Sequence, residues 1–377
     1  METGKVRKSG QIVSLHIKGF RSLADVEIKA LPHAAVLIGA NGSGKSNFIR
    51  FFEMVRWMIG RQLANFVQRH GGADDQLFGG SKVSPTMEAR LTMQTDKGLN
   101  DYRFGFAYAQ PDRFIFTEES FRFSDKGYNE KASWECLGSG HSEAKIANFS
   151  ERDAVNPNKA GALVKLLRQC AIYQFHDTSH DSQLKKNWDV NDNAYLRSHG
   201  GNLAAILLRL EREDTQRYEL ICSHIGSVLP IFERFELRES YGKVMLRWKA
   251  RGFDKTIGAH LASDGSLRVF ALVTLLNLPS EMLSDVILLD EPELGLHPAA
   301  VALVGDMIKV CATERQVMVA TQSPLLVDAF NINEIIVLEA NKGRSNVRRF
   351  EDESHKEWLR EYTTGELWQK NVLGGRP

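Results

Sequence analysis

The octapeptide Gly39-Ala40-Asn41-Gly42-Ser43-Gly44-Lys45-Ser46 constrains this chain more than any other stretch. It matches G-x-x-x-x-G-K-S/T and stands between an apolar pentapeptide, 34–38, and a segment with helical spacing. Its glycines remove the Cβ atoms that would hold a backbone away from phosphate oxygens. The exposed N–H groups and the start of the following helix supply positive potential. Gly39, Asn41, Gly42, Ser43, Gly44, Lys45, Ser46 and Asn47 are therefore the candidate phosphate-binding residues. Lys45 is placed to reach the β- and γ-phosphates of a nucleotide, and the Ser46 hydroxyl to ligate Mg²⁺. Such a loop needs a buried strand before it and a helix after it, so the chain is expected to be α/β.

A second segment gives the loop a partner. Val286-Ile287-Leu288-Leu289-Asp290-Glu291-Pro292 reads as a buried apolar strand ending in two carboxylates. Asp290 is the candidate second Mg²⁺ ligand. Glu291 is the candidate general base for an attacking water.

The remaining chain organises around these two segments. Residues 12–28 alternate as a two-stranded hairpin, and Met87 to Phe123 as an antiparallel meander. A long helix is expected from Lys45 to Gln68, with Phe48, Phe51, Phe52, Val55 and Ile59 on its apolar stripe. Asp125 to Pro157 reads as surface loops, 160–170 as a helix and 171–175 as a strand. From Asp177 to about Ile257 the spacing is mostly helical, over 194–212 and 215–229, with a hairpin over 235–249. Helices over 267–278 and 299–312 then alternate with short strands over 286–289, 316–321 and 335–339. That alternation predicts a mostly parallel core sheet. The division this implies is one lobe over 10–175 and 262–377, and an inserted, mostly helical lobe over 176–261.

Composition excludes some roles. Net charge is +1 over 377 residues, so the chain is no polycation, and DNA could be met only through a local patch such as Lys185-Lys186 or Arg344 to Arg349. The four cysteines have no metal-site spacing, and reduced thiols in a cytoplasmic protein are expected. No apolar run is long enough to span a membrane. The polar, basic start has no apolar core of a signal peptide.

Three further segments carry a family resemblance. Ser263-Asp264-Gly265-Ser266-Leu267-Arg268 precedes the acidic strand where ABC ATPases carry their L-S-G-G-Q signature loop. Ser263 and Gly265 match its serine and second glycine, and the S-D-G variant resembles the RecF-like and OLD-like branch. Taken by itself, the same segment is also an ordinary helix N-cap. Pro292-Glu293-Leu294-Gly295-Leu296-His297-Pro298 resembles the family's D-loop. Val317 to Pro324 resembles its switch strand, with Gln322 where the usual residue is a histidine. Glutamine donates a hydrogen bond but carries no charge, which favours slow hydrolysis. Two weaker matches are Phe20-Arg21-Ser22, where the family's arginine lies near the nucleotide, and Tyr173 to Ser179, the Q-loop region. There Gln174 and His176 both remain candidates for the sensor.

The resemblance implies an ABC-ATPase head with a P-loop core sheet, an antiparallel β subdomain and an inserted lobe. It implies ATP and Mg²⁺ as cofactors and a homodimer that sandwiches two ATP molecules, Ser263 and Gly265 of one copy facing the phosphate loop of the other. Catalysis would rest on Lys45, Glu291 and Gln322. A conformational signal would pass to DNA or to a separate effector such as a nuclease, as in DNA repair or anti-phage defence. The insert is too short for an SMC-type coiled coil, and the 38 residues after Glu339 are too few for an OLD-type nuclease domain. A nucleotide-gated scaffold without hydrolysis and the ATPase subunit of a membrane transporter are the competing readings.

Overall fold

The computed structural model describes residues 10–125, 132–149, 159–351 and 357–376. The chain runs β1 (Gln11–Phe20), β2 (Leu23–Lys29), β3 (Ala34–Ile38), α1 (Lys45–Ile59) and α2 (Leu63–Arg69). It continues through β4 (Thr86–Gln94), β5 (Gly98–Ala109), β6 (Arg113–Asp125), β7 (Glu135–Gly138), α3 (Lys159–Arg168) and β8 (Cys170–Tyr173). The next segment holds β9 (Trp188–Asp189), α4 (Leu203–Glu213), α5 (Thr215–Val228), β10 (Phe232–Phe235), β11 (Lys243–Val244), β12 (Arg247–Ala250) and β13 (Thr256–Gly258). It closes with α6 (Asp264–Leu276), β14 (Val286–Asp290), α7 (Pro298–Ala312), β15 (Gln316–Ala320), α8 (Pro324–Val327), β16 (Ile335–Asn341), β17 (Arg344–Arg349) and α9 (Thr364–Gln369).

Two six-stranded sheets form the frame. The core sheet has the order β17-β16-β3-β15-β14-β8, parallel except for β17. The second has the order β2-β1-β4-β5-β6-β7 and is antiparallel throughout. Strand periodicity explains how they stack. Along the core strands Ala35, Leu37, Leu288 and Met318 face α1 and the antiparallel sheet. Val36, Ile38, Leu289 and Val317 face α4 to α7. Both faces are thus buried, which is why β3 and β15 are apolar without alternation.

Several boundaries differ from the sequence expectation. The helix expected over Lys45 to Gln68 is two helices, because Gly60 ends α1 and Arg61 turns left-handed at φ 55°. Its predicted stripe is nonetheless buried in full. The helix expected from Ala194 begins only at Leu203, since Gly200 at φ 72° interrupts it. The basic run 344–349 is strand β17. The stretch 125–157 was expected as loops, but it contributes β7 to the antiparallel sheet. Part of that stretch lies outside the described residues. Segment 176–261 carries α4 and α5 and five short strands, and Leu207, Ile221 and Phe232 share one apolar cluster with the core sheet. All four cysteines are free, Cys136 exposed and the others buried. Among the described residues, no helix is long and apolar enough to cross a membrane.

Candidate functional site

The neighbouring parallel strands β3, β15, β14 and β8 end on one edge of the core sheet, and each releases a candidate residue there. After β3 comes the loop 39–46, after β15 Gln322, at the end of β14 Asp290 and Glu291, and after β8 Gln174 and His176. Open parallel sheets bind ligands beyond the carboxyl ends of their strands.

Within the loop, Lys45 is 5% exposed and folds back, its Nζ donating to the Gly39 carbonyl at 2.5 Å and to that of Ala40 at 3.1 Å. Burial lowers its pKa, while the carboxylates of Glu291, Glu293 and Asp290 oppose the shift. Asn41, Gly42 and Ser46 are exposed, Ser46 in the first turn of α1. No acidic residue and no side-chain cap occupies that turn, so its N–H groups face outward unclaimed. Ser43 is fully buried, and among the described residues its Oγ has no hydrogen-bond partner.

The loop is braced from behind, chiefly by Ser345, which has no counterpart among the candidates named from the sequence. Ser345 of β17 donates its hydroxyl to the Ser43 carbonyl at 2.6 Å and contacts Ser22 Oγ at 2.7 Å. Asn47 Nδ2 donates to the same Ser22 Oγ at 2.8 Å. Gly44 closes this packing, with φ 109° and room for no side chain: a Cβ there would lie 2.1 Å from Ser345 Oγ. Arg21 occupies the β1–β2 turn at φ 47°, and its Nε donates to Gln76 Oε1 at 3.0 Å.

Opposite the loop stand three acids. Asp290 Oδ2 accepts from Gln174 Nε2 at 3.0 Å, and the Asp290 carbonyl lies 2.8 Å from His176 Nε2. Both open sensor candidates thus touch Asp290. Its Oδ1 is buried with no partner among the described residues, and burial raises its pKa. An orphaned carboxylate oxygen facing a phosphate-type loop fits an oxygen-seeking cation such as Mg²⁺. Glu291 adopts φ 44°, a conformation that costs a non-glycine residue about 1–3 kcal/mol. Its Oε1 accepts from Gln322 Nε2.

Glu293, named from the sequence only within the D-loop resemblance, holds this arrangement. Its Oε1 accepts from Thr321 Oγ1 at 2.6 Å and from the Gln322 N–H at 2.9 Å. Burial raises its pKa as well. The only sequence signal was an acid two residues beyond the strand's carboxylate pair.

Ser263 and Gly265 lie elsewhere. Ser263 caps α6, its Oγ accepting from the Ser266 N–H at 3.2 Å. Gly265 packs on the Gly295 carbonyl, 2.9 Å from where its Cβ would be. Among the described residues neither makes a hydrogen bond with residues 39–46. Arg268, one turn on, donates to the Leu294 and His176 carbonyls at 2.8 and 3.1 Å, tying α6 to the segments after β14 and β8. The basic run on β17 is engaged locally: Arg344 lies over the Phe78 ring, Arg348 pairs with Glu339, and Arg349 donates to the Lys29 and Ala30 carbonyls.

Residues 34–328 match the family described as AAA domain, putative AbiEii toxin, Type IV TA system. A DNA replication and repair protein RecF of Anaeromyxobacter dehalogenans (strain 2CP-C) is 34% identical over 91 residues, 23% of this chain and 24% of that protein. The RecF of Myxococcus xanthus (strain DK1622) is 27% identical over 143 residues, 28% of this chain and 37% of its own length. The match therefore spans well under half of these curated relatives. An Smc head bound to the C-terminal winged-helix domain of ScpA superposes with a TM-score of 0.58 at 17% identity, over 92% of this chain and 99% of that one. The Smc head of Pyrococcus furiosus bound to the C-terminal domain of ScpA gives 0.55 at 16% identity, over 93% and 99%. At such identities the likeness is one of fold, and the fold is that of an ABC-type ATPase head. With its phosphate loop, its acidic strand end and a family match over residues 34–328, the chain belongs to this AAA-domain family, and its fold is that of the Smc heads.

Proposed function

We propose that the chain binds ATP with Mg²⁺ at the carboxyl edge of its core sheet and hydrolyses it when two copies close around the nucleotide. The observation that carries this reading is the meeting, at one sheet edge, of the loop, the orphaned Asp290 Oδ1 and the Glu291–Gln322 pair. Lys45 would exchange its two loop carbonyls for phosphate oxygens, which suit an ammonium better. Ser46 and Asp290 would hold Mg²⁺, which supplies charge neutralisation at the β- and γ-oxygens. With Oε1 of Glu291 engaged by Gln322, its other carboxylate oxygen is available to take a proton from the attacking water. Water oxygen bonds to the γ-phosphorus as the bond to the β-bridging oxygen breaks, leaving ADP and phosphate.

Ser263 and Gly265, remote from the loop of their own chain, would meet the γ-phosphate bound by a second copy across a two-fold axis. ATP would then favour the closed pair and hydrolysis the open one. The relatives' roles in DNA replication and repair, and the family's description as a putative toxin, support an output to DNA or to a separate effector. A nucleotide-gated scaffold is the second reading, favoured by Gln322, which cannot carry a proton as the usual histidine can.

Steady-state ATP hydrolysis by the wild type, Glu291→Gln and Lys45→Ala, each sized with and without ATP, separates the two. Turnover in the wild type, its loss in both variants and an ATP-bound dimer of Glu291→Gln are expected. A wild type that binds ATP yet is as inactive as Glu291→Gln overturns hydrolysis in favour of the scaffold.

A further inference from the structure

Among the described residues the core sheet ends at β8, with no strand on its outer side. The Val286 N–H donates to the Gln169 carbonyl at 3.0 Å, and Val286 and Leu288 pair with Cys170 and Ile172. In a parallel ladder this register commits the backbone groups of Gln169, Ala171 and Tyr173 to β14. The N–H and C=O of Ile172 therefore point outward, and among the described residues no hydrogen bond from outside the sheet meets them. Beside this edge lies a cleft of about 580 Å³, lined by Ile172, Arg56, Arg168, Arg197, His199 and Glu281 among others. Arg197 is neutralised by Asp192 at 3.0 Å. Arg56 and Arg168 are exposed and form no ion pair among the described residues, and Glu281 is the one carboxylate in the lining.

An open strand edge recognises another backbone, and a basic lining selects acidic side chains on it. We propose that this cleft docks an extended acidic segment of a partner protein, which adds to β8 as a strand through Ile172 and sets carboxylates against Arg56 and Arg168. Nucleic-acid phosphates could meet the arginines and the N–H of Ile172, but they carry no donor for its C=O, whereas a paired strand meets both. The opposite wall connects the cleft to the nucleotide edge. Gln174 donates its backbone N–H to the Ser198 carbonyl at 3.1 Å, and its side chain holds Asp290 Oδ2. A strand pressing on 194–199 would shift Gln174 and so alter turnover. This coupling rests on the ATPase reading; the docking itself does not.

The probe is a short fluorescein-labelled peptide of alternating valine and glutamate, titrated by anisotropy against the full chain. Saturable binding is expected, weakened about tenfold or more by Arg56→Glu with Arg168→Glu and by N-methylation of the peptide backbone. Absent binding, equal binding of a valine–lysine peptide, indifference to the charge reversal or to N-methylation, or displacement by a single-stranded oligonucleotide overturns the docking. Saturating peptide is expected to change ATP turnover at least about twofold. Unchanged turnover with binding retained overturns the coupling. A chain that binds the peptide but has no basal turnover overturns the ATPase reading instead.

Discussion

Alanine at Gly44 and at Gly42 gives a controlled comparison within one loop. Both glycines have positive φ, 109° and 78°, so each substitution carries the left-handed cost of about 1–2 kcal/mol. Each also stiffens the unfolded chain to the same extent, which cancels in the difference. A Cβ at Gly42 meets nothing within 4 Å. At Gly44 it lies 2.1 Å from Ser345 Oγ and 2.9 Å from Ser22 Oγ. Ser345 must then give up its bonds to the Ser43 carbonyl and to Ser22, at about 1 kcal/mol each. Residual crowding adds about 1–3 kcal/mol. Gly44→Ala should therefore cost about 4–7 kcal/mol against about 1–2 kcal/mol for Gly42→Ala. Urea titration without nucleotide measures both, and Ser345→Ala completes a double-mutant cycle in which Gly44→Ala costs about 1–3 kcal/mol less. Equal losses in the two alanine variants, or full additivity with Ser345→Ala, would refute the bracing of the loop by β17.

Three shorter predictions follow from the same geometry. Burial raises the Glu293 pKa above its unfolded value, so stability is full below the ordinary carboxylate pKa and falls as pH rises through the folded one. Glu293→Gln keeps an acceptor for Thr321 and Gln322, so its melting temperature relative to wild type should climb from pH 4 to pH 7, and a flat difference counts against the burial argument. Asp101 is fully buried and accepts from Arg122 Nε at 2.6 Å, Thr92 Oγ1 at 2.6 Å and Arg90 at 3.1 Å. Asp101→Ala removes the buried acceptor of the Arg122 ion pair and should cost about 3–5 kcal/mol by chemical denaturation, a figure that a loss below about 1 kcal/mol would contradict. Gln322→Ala releases the Glu291 carboxylate and should lower kcat about tenfold with ATP affinity within about threefold, whereas a collapse of affinity would make Gln322 a binding residue.

The sequence alone determined the local parts of this protein. The loop 39–46, the strand 34–38 and the acidic strand end 286–291 were legible because their chemistry depends on contiguous residues: glycines where a backbone must approach phosphate, unbroken apolar runs where both faces of a strand are buried. The stripe of α1 was legible for the same reason, although its end at Gly60-Arg61 was not, since apolar periodicity continues across that break. Only the tertiary structure decided what converges. That Gln174 and His176 both engage Asp290, that Glu293 holds Gln322, and that Ser345 braces Ser43 are contacts across 116, 114, 29 and 302 positions of sequence. That Arg21 turns to Gln76 was likewise undecidable from Phe20-Arg21-Ser22. Pairing at such separations is set by strand order in the sheets, which leaves no periodic signature in the chain.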